Sequence, residues 1–137
     1  RDSWAAAENI IPSSSGAAKA LQFIWSDLKI TGKAYRVPTK TGSIAELNLV
    51  TTKDCSVEEV NDAFRKASKE GQLKGVLDVL EEQWSSARIV ADPHSSIIDL
   101  PLTTKQGNLL SVAAWYDNEW GFANRLAEVA QYLSQKI

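Results

Sequence analysis

The chain has 137 residues, of which 44% are hydrophobic and 23% are charged, and its formal net charge is −2. This length suffices for one buried core but is short for two ordinary domains, so we expect residues 1–137 to form a single domain. The fifteen basic residues form no stripe among the seventeen acidic ones, which argues against nucleic-acid binding. One cysteine, one histidine and no clustered carboxylates argue against a disulfide framework and a metal site.

No run of eighteen apolar residues and no leader pattern occurs, so we expect neither a membrane span nor a signal peptide. The single cysteine fits a cytoplasmic origin. The chain contains no methionine, even at position 1, which we interpret as the sign of a processed or trimmed chain.

The first half of the chain predicts a helix followed by a hairpin. The Ser-Ser-Ser-Gly run at 13–16 supplies capping hydroxyls, and apolar residues at helical spacing follow from Ala17 to Leu28. Residues 34–38 and 43–51 favour strands, and the Thr-Lys-Thr-Gly segment between them favours a turn. We therefore expect these two strands to pair with each other.

The second half predicts two more helices and several strands. Ser56 and Glu59 have the spacing of a capping box, and helical periodicity continues from there to Gly71. Candidate strands cover 75–80, 87–90, 96–100 and 109–116. One helical stripe then predicts a long C-terminal helix that closes the domain; its members are Phe122, Leu126, Val129, Ala130, Leu133 and Ile137.

Grouped strands broken by single helices predict the α+β class rather than strict β-α-β alternation. We expect a mixed, largely antiparallel sheet, with about three helices packed on one face and the long C-terminal helix last.

Four residues in three segments are candidates for chemistry, and each segment has a plainer interpretation. Ser15 and Gly16 at a helix start could bind an anion through backbone N–H groups and the helix dipole, or could simply cap the helix. Arg36 could bind an anion through its guanidinium fork, or could be a surface residue beside a turn. Asn118 could hydrogen-bond an amide ligand, or could lie in the first turn of the last helix.

Two stretches a hundred residues apart carry a family resemblance. Residues 9–20 (NIIPSSSGAAKA) and 115–121 (WYDNEWG), together with the Arg-Val-Pro-Thr segment that begins at Arg36, resemble the glyceraldehyde-3-phosphate dehydrogenase family. The resemblance covers most of that family's catalytic domain. It implies that Ser15, Gly16 and Arg36 bind substrate phosphate and that Asn118 orients the nicotinamide of NAD.

One departure from the family pattern affects the implied substrate. Phe122 stands where the family usually has tyrosine, and residues 120–125 (WGFANR) are similar to the sister family of erythrose-4-phosphate dehydrogenases. Either glyceraldehyde 3-phosphate or erythrose 4-phosphate therefore fits the resemblance.

The parts of the family that perform the chemistry do not appear in this sequence. The family's nucleophile lies in a Ser-Cys-Thr-Thr-Asn segment and is activated by a histidine, and neither segment occurs here, nor does a Gly-x-Gly-x-x-Gly turn for the dinucleotide. Cys55 lies in an unrelated connection beside Asp54, and His94 lies in a segment that the family carries outside its active centre. We expect no catalytic residue and no cofactor for this chain alone.

Two readings of function remain open. The first is a truncated catalytic-domain fragment of a phosphorylating aldehyde dehydrogenase, inactive alone, that keeps a phosphate site with weak affinity for phosphate or a phosphorylated aldehyde. The second is an engineered stand-alone scaffold or interaction module, in which Trp4, Trp25 and Trp84 form a contact surface for a designed partner or for self-association.

Overall fold

The computed structural model of the chain describes Ala5 and residues 7–136. Its helices and strands follow in the order β1 (Ile11–Ser14), α1 (Ala17–Ile24), β2 (Lys33–Arg36), β3 (Ser43–Val50), α2 (Val57–Lys69), β4 (Leu77–Leu80), β5 (Ser96–Asp99), β6 (Thr104–Gln106), β7 (Leu109–Tyr116) and α3 (Trp120–Ser134). Short 3₁₀ turns occupy Gly71–Leu73, Ser86–Arg88 and Leu100–Leu102. No helix in this described part combines the length and apolar character needed to cross a membrane.

The chain divides into two compact units, the first ending at Lys40 and the second beginning at Thr41. Within the described residues, each unit has its own sheet, of two strands in the first and five in the second. The expectation of a single domain stays a prediction.

The first unit pairs β1 with β2 in an antiparallel ladder that aligns Ile11 with Arg36 and Ser14 with Lys33. The predicted hairpin between residues 34–38 and 43–51 is therefore wrong, because β2 pairs with β1, whereas β3 pairs with β7. The physical reason is matching length: β3 finds in β7 a strand of eight residues that it matches along its whole length. A local turn signal cannot reveal such a distant partner.

The sheet of the second unit has the order β3-β7-β5-β4, and β6 also pairs with β7. Among the strands of the described residues in this unit, β4 and β5 pair in parallel and the other pairs are antiparallel. With three helices and a long last one, this architecture confirms the predicted α+β class with a mixed, largely antiparallel sheet.

The main core of the second unit lies between this sheet and α2. Its buried side chains are Leu77, Ile98, Leu100, Leu110, Val112 and Ala114, and α2 packs Val60, Phe64 and Ala67 against them. The predicted capping box starts α2: the Ser56 hydroxyl accepts the Glu59 amide at 3.1 Å, and Glu59 accepts the Ser56 amide at 2.7 Å. The sequence periodicity of this helix and its packing therefore agree.

The strand predicted at 87–90 is wrong, and this segment instead contributes to a second buried cluster. That segment contains a 3₁₀ turn, and its backbone bonds are local, from Arg88 to Ser85 and from Asp92 to Ile89. Ile89 is fully buried with Leu80 and Ile97, and Trp84 packs against them. The apolar character of 87–90 comes from one anchoring side chain rather than from a strand that alternates between faces.

The long C-terminal helix is confirmed, but its predicted role in closing the core is wrong. Of the α3 residues, all of which the structure describes, Gly121 alone is buried. Phe122 is 69% exposed, Leu126 60%, Val129 54% and Leu133 53%. The helix contacts the rest of its unit through its first turns, at Gly121 and Arg125, and its apolar stripe is exposed.

Candidate functional site

The first candidate site is the start of α1. The Ser15 hydroxyl accepts a hydrogen bond from the Ala17 amide at 3.2 Å, and Gly16 is the residue that precedes the helix. The first intrahelical bond runs from the Ala20 amide to the Gly16 carbonyl at 3.0 Å. The amides of Ala18 and Lys19 therefore lie in the first turn, where no intrahelical carbonyl is available to them.

The space next to this turn is open. A Cβ atom built on Gly16 would have no neighbouring atom within 4 Å. Gly16 occupies the N-cap position and no side chain of the described residues caps α1; the Ser15 hydroxyl accepts only the Ala17 amide. The turn therefore still presents amide donors to an approaching anion.

Along the β1–β2 ladder, the basic residue nearest to Ser15 is Lys33, which was not among the predicted site residues. Lys33 is opposite Ser14, the residue just before Ser15, whereas Arg36 is opposite Ile11 at the other end of the ladder. With a rise of about 3.3 Å per strand residue, the Arg36 backbone lies roughly 10 Å farther along than that of Lys33. The structure thus joins Ser15 and Gly16 in one turn and does not bring Arg36 to them, because Arg36 lies at the far end of the ladder.

The second candidate site is the turn between β7 and α3 in the other unit. Asn118 is exposed, and its Oδ1 accepts a hydrogen bond from the Ser43 hydroxyl at 3.3 Å. Its neighbour Glu119 accepts one from the Thr41 hydroxyl at 3.0 Å. The side chain of Asn118 is therefore held at the start of β3, and its NH₂ group has no protein acceptor among the described residues.

The residue that caps α3 is Asp117, which the sequence reasoning also missed. Asp117 is buried; its Oδ1 accepts the amides of Glu119 at 3.1 Å and Trp120 at 2.9 Å, and its Oδ2 accepts the Ala91 amide at 2.8 Å. The bonds from Trp120 and Ala91 hold the pKa of this carboxyl below its usual value. Its signal in the sequence was an aspartate just before a helical run, the usual type of capping residue.

The backbone of Ala91, whose amide donates to Asp117, is conformationally strained. Ala91 has φ 64°, in the left-handed region that costs a residue with a Cβ about 1–2 kcal/mol. We expect Ala91→Gly to raise the free energy of unfolding by about 0.5 kcal/mol, because relief of this strain exceeds the extra entropy of the unfolded chain. Urea denaturation measures the change; Ala87→Gly, an exposed position in the neighbouring turn, is the control, and a loss of stability in Ala91→Gly would contradict the expectation.

His94 and Cys55 have separate structural surroundings. His94 Nδ1 lies 2.8 Å from Asp92 Oδ1, and the His94 carbonyl faces Gly121, where an added Cβ would approach it to 2.9 Å. Cys55 is half-buried next to Asp54, whose carboxylate pairs with Lys105 at 2.7 Å. No hydrogen bond joins Cys55 to His94 in the part of the chain that the structure describes.

The tryptophans of the alternative reading have different environments. Trp25 is 58% exposed. Trp84 packs on the second core cluster, and the Arg88 guanidinium lies 4.6 Å from its ring centre. Trp4 lies outside the described residues. The position of Trp84 favours a packing role for that indole.

Comparison with known proteins gives one family. Residues 1–118 match the family model described as glyceraldehyde 3-phosphate dehydrogenase, C-terminal domain. The chain is 45% identical to the glyceraldehyde-3-phosphate dehydrogenases of Mycobacterium avium and Mycolicibacterium smegmatis, over 139 aligned residues that cover 100% of the chain. It is 44% identical to that of Kitasatospora aureofaciens, over 99% of the chain.

In each case the aligned region is 41% of the relative's length, so the chain spans less than half of the curated relatives that it matches. The family model covers both the helix start at Ser15 and the turn that ends at Asn118. The chain belongs to the glyceraldehyde-3-phosphate dehydrogenase family and corresponds to its C-terminal domain.

Proposed function

We propose that this chain is the phosphate-binding part of a phosphorylating aldehyde dehydrogenase catalytic domain, and that it does not turn over by itself. The observation that carries the proposal is the open helix start at Ser15 and Gly16 in a chain of this family. Its first-turn amides and the positive end of the helix dipole suit a phosphate oxygen. Lys33 and Arg36, both exposed, supply the positive charge in the same unit.

Asn118 is the proposed contact to the nicotinamide of NAD. Its Oδ1 is held by Ser43, and its NH₂ group remains available to a carboxamide oxygen. The cofactor, when bound, supplies the hydride acceptor. This chain contributes orientation, and the rest of the dinucleotide site and the thiolate nucleophile belong to segments that this sequence does not contain.

A cytoplasmic location is part of the proposal, supported by a single half-buried cysteine. Phe122 lacks the hydroxyl of the tyrosine that is usual in the family, and this departure by itself leaves both glyceraldehyde 3-phosphate and erythrose 4-phosphate open as substrates. We favour glyceraldehyde 3-phosphate, because the relatives named above carry that name.

The experiment is a titration of the isotopically labelled chain with inorganic phosphate, followed through its backbone amide resonances. We expect saturable shifts at Gly16, Ala18 and Lys19, with a dissociation constant in the millimolar range. Arg36→Ala and Lys33→Ala should each weaken binding by about tenfold, as expected for loss of a charge-assisted hydrogen bond. Lys40→Ala is the matched control, an exposed cation of the same unit that should change affinity little.

A parallel titration with sodium chloride at equal ionic strength is the control, because it produces the same charge screening without phosphate binding. The absence of shifts in millimolar phosphate, or an equal loss in Lys40→Ala, would contradict the phosphate site. Steady NADH production by the chain alone from glyceraldehyde 3-phosphate, NAD and phosphate would contradict the proposed lack of turnover.

A further inference from the structure

The Asn118 side chain lies where the β3–β7 ladder ends. The last pair of the ladder is Ser43 with Tyr116, and Asn118 follows two residues later in the turn before α3. Beyond that pair, side chains join the two segments. The Ser43 hydroxyl donates to Asn118 Oδ1 at 3.3 Å. The Thr41 hydroxyl donates to Glu119 Oε2 at 3.0 Å, so two hydroxyls on one segment hold two consecutive residues of the other.

The segment that carries these hydroxyls is anchored by Gly42, which lies between them. Gly42 has φ 89°, in the left-handed region that favours glycine. A Cβ atom built on it would lie 3.3 Å from two carbon atoms of the Ile89 side chain, which is fully buried. The backbone between the two hydroxyls therefore packs directly on the second core cluster.

The backbone beside Asn118 is held as well. Asp117, the preceding residue, is buried, and its carboxylate accepts three backbone amides, those of Ala91, Glu119 and Trp120. The Asn118 side chain itself is exposed, so water competes for its oxygen and nitrogen. With both backbones fixed, the bond from Ser43 decides how the Asn118 amide group is turned.

The way this amide is turned determines which ligand atom it can bind. An asparagine side chain has an acceptor oxygen at one end and a donor NH₂ group at the other, and a carboxamide ligand has the same two ends. A freely turning asparagine can bind either end of such a ligand. With Oδ1 engaged by Ser43, Asn118 presents its N–H donors and therefore selects an acceptor, such as a carbonyl oxygen.

We propose that Ser43 is a positioning residue that orients the Asn118 amide, so that this turn recognises the carbonyl oxygen of a carboxamide and not its NH₂ group. The inference rests on the proposed contact between Asn118 and the nicotinamide of NAD. It adds which atom of that group is recognised and which residue of this chain decides it. Ser43 acts through Asn118, because its hydroxyl is committed to Oδ1.

The first test measures the side-chain torsion of Asn118 in the full chain, through three-bond nuclear magnetic resonance couplings to its Cγ atom. We expect one dominant rotamer in the wild type and averaged couplings in Ser43→Ala, because loss of a hydrogen bond shifts such an equilibrium roughly two- to tenfold. Ser43→Thr keeps the hydroxyl on a residue suited to a strand and should restore the wild-type couplings. Ser111→Ala removes a hydroxyl that donates to Glu46 on the same sheet, and is the matched control.

The second test compares three small pyridines through the resonances of the Asn118 NH₂ group. Nicotinamide has a carbonyl and an NH₂ group, 3-acetylpyridine keeps the carbonyl alone, and thionicotinamide keeps the NH₂ group beside sulfur, a weaker acceptor. We expect nicotinamide and 3-acetylpyridine to bind equally and thionicotinamide to bind roughly two- to tenfold more weakly. In Ser43→Ala the affinity for 3-acetylpyridine should fall by a similar factor, because the Asn118 amide is no longer preorganised.

The two tests fail in different ways. Couplings of Asn118 that stay unchanged in Ser43→Ala would overturn the positioning role of Ser43. Tighter binding of thionicotinamide than of 3-acetylpyridine would overturn the recognition of the carbonyl oxygen. No response to any of the three compounds would contradict the proposed nicotinamide contact itself, and the couplings would still decide whether Ser43 orients Asn118.

Circular dichroism checks that each variant keeps its fold. If Ser43→Ala unfolds the chain, Ser43→Val takes its place, because valine suits a strand and has the shape of threonine without a hydroxyl. The comparison of Ser43→Val with Ser43→Thr then isolates the hydroxyl, and equal Asn118 couplings in these two variants would equally overturn the proposal.

Discussion

Asp117→Ala is expected to lower the free energy of unfolding by about 3 kcal/mol. The substitution removes the cap of α3 and leaves the amides of Ala91 and Trp120 without their acceptor, and such losses cost about 1–3 kcal/mol each before relaxation. Chemical denaturation at neutral pH measures the effect. The exposed Glu82→Ala is the control and should change stability by less than about 0.5 kcal/mol.

The acid dependence of stability provides a second readout of Asp117. Because the pKa of this carboxyl is lower in the folded protein, its ionised form stabilises the fold above the unfolded pKa of about 3.9. That contribution is lost as the pH falls below about 4 toward the folded pKa. We expect the wild type to lose stability more steeply than Asp117→Ala in this range.

The Asp117→Asn variant removes the charge of this side chain but keeps its size and shape. The amide oxygen can still accept the amides at the start of α3, but its NH₂ group would face the Ala91 N–H. We expect an intermediate loss of stability and the flatter acid profile. An Asp117→Ala variant as stable as wild type, with the same acid profile, would show that the cap contributes nothing.

Gly121→Val is expected to lower the free energy of unfolding by about 3 kcal/mol. Even a Cβ atom at this buried position would lie 2.9 Å from the backbone oxygen of His94, and a valine adds two more carbon atoms there. Gly121→Ala should cost less, because improved helix propensity offsets part of the clash. Thermal and urea unfolding give the two values.

The matched control for Gly121 is Ala127→Val in the same helix. Ala127 is exposed and lies outside the apolar stripe, so its substitution should cost only the helix propensity of valine, about 0.5 kcal/mol. At an ordinary helix position, replacing glycine by alanine raises stability. If Gly121→Ala is more stable than wild type, the His94 backbone must move aside without a loss of stability, and the expected clash is contradicted.

Features set by neighbouring residues were predictable from the sequence. The capping box at Ser56 and the stripe of α3 depend on spacings of three or four residues, and the structure has both helices where the spacing placed them. The β5 and β7 strands were found for the same reason, since strong apolar runs bounded by polar turns mark a buried strand.

Features set by distant partners were not predictable. The turn after β2 indicated a hairpin, but β3 pairs with β7, and the paired residues lie 59 (109 − 50) to 73 (116 − 43) positions apart in the sequence. The exposure of Leu126 and Leu133 depends on what lies beside α3, which periodicity does not report. At the site, Lys33 was missed because only the register of β1 with β2 places it opposite Ser14.

The β3–β7 ladder has a consequence for the growing chain on the ribosome. Ser43 is paired with Tyr116, so β3 is synthesised long before the strand that covers its backbone amides and carbonyls. Until then the unpaired backbone N–H and C=O groups of β3, beside the apolar side chains of Leu47 and Leu49, can hydrogen-bond with other nascent chains. We expect late sheet closure of this kind to leave the nascent chain open to non-native strand pairing until β7 has been synthesised.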